Sequence, residues 1–272
     1  MGQVGIFGRT LSVMADFLAP IVLDCGSRWT RAGFGGAEAP AAVFPTLRCD
    51  DLDQDESSEA KLNVHPQISP VERGVVTDWD AMQTVYQHAF RRLHVAPEEH
   101  LVLLTEAPLN PLPNREKMAE IMFENFNTPS MFITMQAVLA LFASGRSTGV
   151  VLDSGHGVTH AVPVYEGHAL PHTVQRSELA GSHLTEHLVK MLAERGYSSA
   201  TAGACDIKEK LAYVAREFNT ELATSAAQEL DNREIPLQSE WFRCPEPLFQ
   251  PQLLGVLLAW HPPAAVRFGH GL

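Results

Sequence analysis

The sequence predicts an α/β protein that contains two related lobes. Segments typical of strands alternate with amphipathic helical segments in both halves of the 272-residue chain. In addition, the runs Ile21–Gly26 and Val150–Gly155 resemble each other, because each joins an aliphatic strand to an Asp, a small residue and a Gly. The two aspartates, Asp24 and Asp153, lie roughly one domain length apart. A repeat on this scale indicates two lobes that face each other.

The first half is predicted to contain two strands and three helices. Asp78 or Asp80 opens the first helix and Asn114 caps the second, because such side chains accept hydrogen bonds from the free N–H groups of a helix start. Gly145 ends the third helix. The apolar face of the first helix consists of Met82, Tyr86, Ala89, Phe90 and Leu93. The elements are, in order, a strand at 19–23, a helix through 82–93, a strand at 100–105, a helix through 118–122 and a helix at 134–144.

The second half is predicted to follow the same mixture of strands and helices. A strand ends at Asp153, and two hairpin strands flank the turn at Glu166 and Gly167. Ser182 caps the next helix and Gly196 closes it. Its inward residues are Leu184, Leu188, Met191 and Leu192. The elements are, in order, strands at 149–152, 158–164 and 169–176, the helix from 182 to 196, and a helix at 207–223.

Composition excludes several classes of protein. Apolar residues make up 45% of the chain and the net charge is −12, which is typical of a globular protein and argues against binding to nucleic acid or to anionic lipid. Apolar runs fall short of the roughly 18 residues that a membrane span needs. The four cysteines lie far apart, which favours reduced thiols in a cytosolic protein. Histidine pairs at i, i+4 lack the further ligands of a zinc site.

The repeated strand ends suggest a chemistry. An Asp followed by Gly places a carboxylate beside backbone N–H groups, and Gly lets an anion approach the backbone closely. Two such turns on facing lobes could hold a polyphosphate, with Asp24 and Asp153 binding Mg²⁺ through water. Ordinary structural turns remain the alternative at this point, since Asp-Gly turns are common.

Longer motifs carry a resemblance to a known family. The following runs are similar to conventional actin, from about Ile21 to Gly255: AGFGG, AVFPT, GVVTDWDAM, VAPEEHLVLLTEAPLNP, NREKMAEIMFENFNTPSMFI, QAVLALFASGRSTGVVLDSGHGVTHAVPVYEGHALPH, LAGSHLTEHLVKMLAERGYS, DIKEKLAYVA and FRCPEPLFQP. The resemblance implies the actin fold, in which two ribonuclease-H-like lobes hold ATP and a divalent cation. We therefore expect an N-terminal extension at 1–18, a first lobe at 19–147 with a shortened outer loop at 47–68, a partial second lobe at 148–255, and a divergent tail at 256–272.

The resemblance assigns roles to individual residues. Asp24 and Asp153 match the aspartates that hold Mg²⁺ through water, and Gln136 with His160 match the pair that orients the attacking water. The positions that match phosphate and nucleoside contacts are Gly26, Ser27, Arg31, Ser154, Gly155, Gly157, Gly181, Lys208 and Glu209. A Gln and a His beside a γ-phosphate can position water without covalent chemistry.

The sequence also departs from the family pattern at these turns. Arg28 replaces the second Gly of the first phosphate turn, Arg31 replaces a Lys, and His156 replaces an Asp of the second turn. The chain no longer resembles actin after Gly255, so we expect an incomplete second lobe, a marginal fold or one completed by a partner, and no place in an ordinary filament. The outer loop is replaced by the acidic run 49–61, which we interpret as solvated.

Three hypotheses about function follow. The first is a divergent actin-like protein, similar to those of male germ cells, that associates with the cytoskeleton and has weak or lost ATP binding and hydrolysis. The second is a working Mg-ATPase whose cleft is completed by a partner. The third is a shortened product with little independent function. The resemblance implies a cytoplasmic location, actin or actin-binding proteins as partners, and folding by the cytosolic chaperonin.

Overall fold

The computed structural model describes residues 18–47, 69–197, 203–231 and 239–254. These residues form two compact units. The first contains 18–47, 69–153 and 161–174, and the second contains 154–160, 175–197, 203–231 and 239–254. The expected extension, the acidic run and the tail at 256–272 lie outside the described residues. The predicted lobe boundary at 147/148 stays a prediction.

The first unit is organised by a five-stranded sheet. Its strand order is β3-β2-β1-β6-β7, with β1 parallel to β6 and β6 parallel to β7, whereas β2 is antiparallel to β1 and to β3. A separate two-stranded ribbon joins β4 and β5. The strands are β1 (Leu18–Cys25), β2 (Trp29–Phe34), β3 (Ala42–Pro45), β4 (Val71–Glu72), β5 (Val75–Val76), β6 (His100–Glu106) and β7 (Ser130–Met135).

One face of this sheet supports the main hydrophobic core. Alternation along the strands places Ile21, Leu23, Val102 and Leu104 on the same face, and all four are buried. Two helices cover this face, namely α1 (Trp79–Leu93) and α2 (Leu112–Glu120), which continues into a π-helical turn at Ile121–Asn125. Every predicted inward residue of α1 is buried, so that prediction is confirmed. The helical residues of the core are Met82, Val85, Tyr86, Ala89, Phe90, Leu93, Met118, Ile121 and Met122.

A smaller core completes the first unit. Helix α3 (Gln136–Ala143) packs Ala137, Val138 and Leu141 against Val162 and Val164. The valines belong to β9 (Thr159–Tyr165), which pairs with β8 (Gly149–Ser154) and antiparallel with β10 (His168–Ala169).

The second unit is mainly helical. Leu184, Leu188, Met191 and Leu192 of α4 pack against Cys244, which confirms the predicted inner face of this helix. No helix among the described residues is long and apolar enough to cross a bilayer. The elements are β11 (Gln175–Ser177), α4 (Gly181–Glu194), α5 (Ala204–Leu211), α6 (Phe218–Asp231), α7 (Ser239–Arg243) and 3₁₀ turns at Glu246–Leu248 and Pro251–Leu254.

Two predicted helix caps are wrong because other groups begin the helices. Asn114 lies inside α2, since Pro111 precedes the first turn and its carbonyl accepts from the Asn114 N–H at 3.0 Å. Helix α4 begins at Gly181 without a side-chain cap. Its first N–H groups, from Gly181 and Ser182, donate to the carbonyls of Gly155 and His156, in the turn after β8, at 3.0 and 2.8 Å. Backbone oxygens therefore satisfy the donors that a Ser cap would have satisfied.

Three predicted elements have different extents. Residues 134 and 135 belong to β7 rather than to α3, because they pair with β6. The helix predicted at 207–223 is two helices, since Ala212 is extended and the Tyr213 N–H donates to the Trp241 carbonyl at 3.2 Å. The strand predicted at 169–176 is split by a 3₁₀ turn at Pro171–Thr173. Contacts with distant residues account for the first two differences, and Pro171 begins the turn in the third.

Asp78 begins α1, and its removal is expected to destabilise the first unit. The carboxylate accepts from the Ala81 N–H at 3.1 Å, which is the N-cap bond that the sequence predicts. Asp78→Ala should lower the free energy of unfolding by about 1 kcal/mol, measured by urea denaturation and tryptophan fluorescence. Asp80→Ala, in the first turn but outside the cap, should cost clearly less. Equal losses for the two variants would contradict the cap.

Candidate functional site

Parallel pairing brings three polar side chains to one end of the five-stranded sheet. Asp24 is the seventh residue of β1, and register places it beside Thr105 of β6. Gln136 follows the end of β7 and begins α3. The carboxyl ends of parallel strands lie at the same sheet edge, where α/β proteins commonly bind ligands. These residues, close together in space, come from parts of the chain separated by up to 112 positions.

Asp24 is the centre of this group. Its Oδ1 accepts from the Thr105 hydroxyl at 2.7 Å and from the Gln136 amide nitrogen at 2.8 Å. The same amide nitrogen lies 3.3 Å from the Thr105 oxygen. Arg31 on β2 approaches the other carboxylate oxygen, Oδ2, at 3.5 Å. Two hydrogen bonds therefore fix the orientation of the Asp24 carboxylate, and one half-exposed guanidinium balances its charge.

Asp153 lies at the end of β8 and within electrostatic range of this group. Burial raises the pKa of the Asp153 carboxyl, and the negative charge of Asp24 raises that pKa further, whereas Arg31 lowers it. Two neighbouring carboxylates with one compensating cation form an environment that favours a further positive charge. Within the described ranges there is no group of three His, Cys, Asp or Glu side chains that could hold a metal ion.

The first predicted phosphate turn connects β1 to β2. The Gly26 N–H donates to the Trp29 carbonyl at 3.0 Å, and the Ser27 hydroxyl accepts from the Gly74 N–H at 3.2 Å. Arg28 follows, and its guanidinium carbon lies 5.6 Å from the centre of the Trp29 ring. A Cβ on Gly26 would meet the Trp29 carbonyl oxygen at 3.2 Å, so the turn is tight. The turn holds its shape through internal bonds and carries a long cationic side chain.

The second predicted phosphate turn lies in the second unit. The Ser154 and Thr159 hydroxyls share a hydrogen bond of 2.9 Å, and the Gly155 N–H donates to the Val158 carbonyl at 3.0 Å. The predicted residues Gly155 and Gly181 lie together, because the Gly181 N–H donates to the Gly155 carbonyl. A Cβ on Gly181 would lie 3.3 Å from that carbonyl oxygen and 3.3 Å from Lys208 Nζ. Gly157 belongs to the same turn.

Lys208 and Glu209 occupy successive positions of α5. The Lys208 ammonium donates to the Gly181 carbonyl at 2.7 Å, so it ties α5 to the start of α4. The Glu209 carboxylate lies 3.4 Å from the Cys205 thiol, one helical turn earlier. The structure thus places Lys208 beside the second turn and gives Glu209 a contact within its own helix.

His160 is a buried residue of β9. Its side chain is 1% exposed and its Nε2 atom has no hydrogen-bond partner in the structure. Burial lowers the pKa of His160 to about 4, and the charge of Arg176 contributes in the same direction. The imidazole is therefore neutral at pH 7, the form in which a histidine can accept a proton or orient a water molecule.

The structure gathers the predicted residues into two groups, one in each unit. The first unit brings Asp24, Arg31, Gln136 and Asp153 together, and the second unit brings Ser154, Gly155, Gly181 and Lys208 together. Sequence reasoning missed Thr105. No motif marks a single threonine in an aliphatic strand, and only the register with β1 shows that it faces Asp24.

The sequence also matches the model of a known protein family. The family model described as Actin matches residues 15–202, which is more than half of the chain. The matched range contains every residue of the first-unit group and the second turn. Lys208 and Glu209 lie beyond it.

The charge of Asp24 should be detectable in the titration of Asp153. Asp24→Asn removes a negative neighbour, so it should lower the pKa of Asp153, whereas Arg31→Ala removes a positive one and should raise it. Side-chain carboxyl ¹³C shifts followed by NMR against pH measure both changes. Arg115→Ala, which removes a guanidinium paired with Glu106, serves as the control. Shifts of the same sign for Asp24→Asn and Arg31→Ala would refute the assignment.

The buried His160 predicts a loss of stability in mild acid. The folded pKa of about 4 lies below the ordinary 6.5, so the unfolded chain binds more protons between these values. Stability should fall as pH decreases from 6.5 towards 4, by about 3 kcal/mol from this residue. Urea denaturation at pH 7 and pH 4.5 measures the difference, and His160→Leu should reduce it. An unchanged pH dependence in that variant would show that His160 is not responsible.

Proposed function

This chain belongs to the actin family, and from that premise we propose that it is an actin-like protein with a retained cation site and a weakened phosphate site. Binding of Mg-ATP is then weak, and hydrolysis is slow or lost. The α/β sheet of the first unit fits the family fold, and the proposal extends to two ribonuclease-H-like lobes. We also propose association with actin or actin-binding proteins in the cytoplasm, exclusion from ordinary filaments, and folding with the help of the cytosolic chaperonin. The likeness to the divergent actin-like proteins of male germ cells belongs to the same proposal.

The observation that carries the proposal is the contrast between the carboxylate group and the first turn. Asp24 and Asp153 lie close enough to perturb each other, and Gln136 is oriented by two hydrogen-bond acceptors. At the adjacent turn, the Gly26 N–H donates within the chain, and Arg28 occupies a position where close approach of a ligand to the backbone would need the absence of a side chain. This supports loss of phosphate contacts before loss of cation contacts.

The carboxylate pair fits a hydrated magnesium ion. A negative neighbour and partial burial disfavour the ionised form of Asp153, and a divalent cation would relieve that cost. Bound magnesium supplies positive charge that neutralises phosphate oxygens. The residues of this chain contribute separately: Thr105 holds the Asp24 carboxylate in orientation, and Arg31 limits its net charge. The amide nitrogen of Gln136 is engaged with Asp24, which directs its carbonyl oxygen to accept a hydrogen bond from water.

Two substitutions in the family pattern favour weak binding. Arg28 adds bulk at a tight turn, in which a Cβ added to Gly26 would lie 3.2 Å from the Trp29 carbonyl oxygen. His156 lacks the carboxylate acceptor that the family has at this place in the second turn. Its carbonyl accepts from the Ser182 N–H at 2.8 Å, so the backbone of the turn is preserved. The loss therefore concerns side-chain contacts to a ligand rather than the fold of the turn.

The alternative is a working ATPase of the same family. The retained group of Asp24, Gln136 and Asp153 favours it, because positioning and electrostatic stabilisation are most of what phosphoryl transfer requires of a protein. Binding and turnover measurements on one preparation separate the two functions. Tight binding with steady phosphate release supports the ATPase, and weak binding without turnover supports the proposal.

Isothermal titration of the purified full chain with Mg-ATP tests the phosphate turn. We expect weak binding for the natural sequence, and Arg28→Gly should tighten it about tenfold by opening the backbone to the phosphates. Arg28→Gln retains the bulk without the charge and is the matched control, so it should not tighten binding. An unchanged affinity for Arg28→Gly, or an equal gain for Arg28→Gln, would exclude steric obstruction by Arg28.

A further inference from the structure

The five-stranded sheet has two faces, and among the described residues helices α1 and α2 cover one of them. On the opposite face, register places Gly33, Val22, Leu103 and Phe132 in one row across β2, β1, β6 and β7. The next row towards the carboxyl ends of the parallel strands is polar and contains the Asp24 group. We call the apolar row and its surroundings the open face.

The open face exposes apolar area at its β7 side. Phe132 is 65% exposed, although its neighbours Met131 and Ile133 pack against the main core. An aromatic ring exposed to this degree on an edge strand is an aggregation hazard, which proteins commonly manage by covering it. The question is which part of the molecule, or which partner, covers this ring.

The chain itself contains a suitable segment. Residues 1–17 lie outside the described residues, and their sequence MGQVGIFGRTLSVMADF has nine apolar side chains and two charged ones. That composition differs from the polar, highly charged composition of segments that remain solvated. Large apolar side chains, among them Ile6, Phe7 and Leu11, gain free energy from burial against a surface such as the open face.

The place where residues 1–17 join the sheet, and the short distance from there to Phe132, favour this segment over others. It joins the sheet at Leu18, the first residue of β1, which is paired with His100 of β6. The row at Leu103 lies only three residues further along β6, roughly 10 Å at the rise of a strand. Five or six residues of chain therefore suffice to reach Phe132, and such a short tether gives an effective concentration of about millimolar or higher. Residues 255–272 follow Leu254 of the second unit and include two consecutive prolines.

We propose that residues 1–17 dock in cis on the open face and cover Phe132. Docking places the segment one row from the Asp24 group. The proposal is independent of nucleotide binding, because it rests on the apolar row and on the composition of the segment. A second copy of the chain, and residues 255–272, are the competing occupants.

Photocrosslinking from the open face identifies the occupant. The full chain is prepared with p-benzoylphenylalanine in place of Phe132, irradiated, and digested for mass spectrometry. We expect intramolecular links to peptides from residues 1–17. A mixture of ¹⁵N-labelled and unlabelled chains distinguishes these from links between two copies. Links mainly to a second copy, links mainly to residues 255–272, or the absence of links would each overturn the proposal.

Two controls determine whether docking is specific. The same probe at Phe249, which is 63% exposed in the second unit, should give few links to residues 1–17. In the chain that carries the probe in place of Phe132, the double change Phe7→Ser and Leu11→Ser should lower the crosslink yield about tenfold, because docking would lose the burial of two apolar side chains. The matched change Gln3→Ser and Thr10→Ser should leave the yield nearly unchanged. Equal yields from both probe positions, or equal losses in both double variants, would refute docking of the segment through its apolar residues.

Discussion

Parallel pairing of β1 with β6, and of β6 with β7, is the constraint on which the rest of the first unit depends. It places Leu23 beside Leu104 and Leu104 beside Ile133, which builds the core side of the sheet. The same register places Asp24 beside Thr105 at the following position, on the other side. Because side chains alternate along a strand, a slip of one residue would bury Asp24 against α1 and expose Leu23. Core and site are therefore specified by a single register.

This arrangement links the chemistry of the sheet to its stability. The face packed on α1 and α2 has apolar residues in successive rows, and the helices cover most of it. The opposite face has an apolar row beside the polar row that contains Asp24. Any segment that covers Phe132 must therefore end within one row of the polar group. A segment that covers the apolar row would therefore also limit the access of solvent to the neighbouring polar row.

Many of the helices and strands could be predicted from local sequence pattern. The other features depend on residues that are distant in sequence. The helical spacing of Met82 and Tyr86 and the cap at Asp78 are properties of one segment, and the structure has them as predicted. The predicted Ser182 cap is wrong because carbonyls of the loop at 155–156 bind the first N–H groups of α4. The break after α5 depends on Trp241, which no window of the sequence around Ala212 contains. Asp24 was identified from the repeated strand ends and again by resemblance, and Gln136 by resemblance alone, whereas Thr105 required the strand register.

The geometry around Asp24 also bears on how readily a cation could bind there. The Arg31 contact with Asp24 is long, at 3.5 Å, and the Arg31 side chain is 52% exposed, so this ion pair contributes little and a cation could displace it. The bonds from Thr105 and Gln136 both reach Oδ1 and leave Oδ2 on the side of Arg31. Cation binding at Asp24 thus needs only the movement of one surface side chain. In the proposed function, phosphate binding at the neighbouring turn requires Arg28 to move, at a place where a Cβ added to Gly26 would lie 3.2 Å from the Trp29 carbonyl oxygen. On that proposal, the energetic obstacle to Mg-ATP lies in the turn and not in the carboxylates.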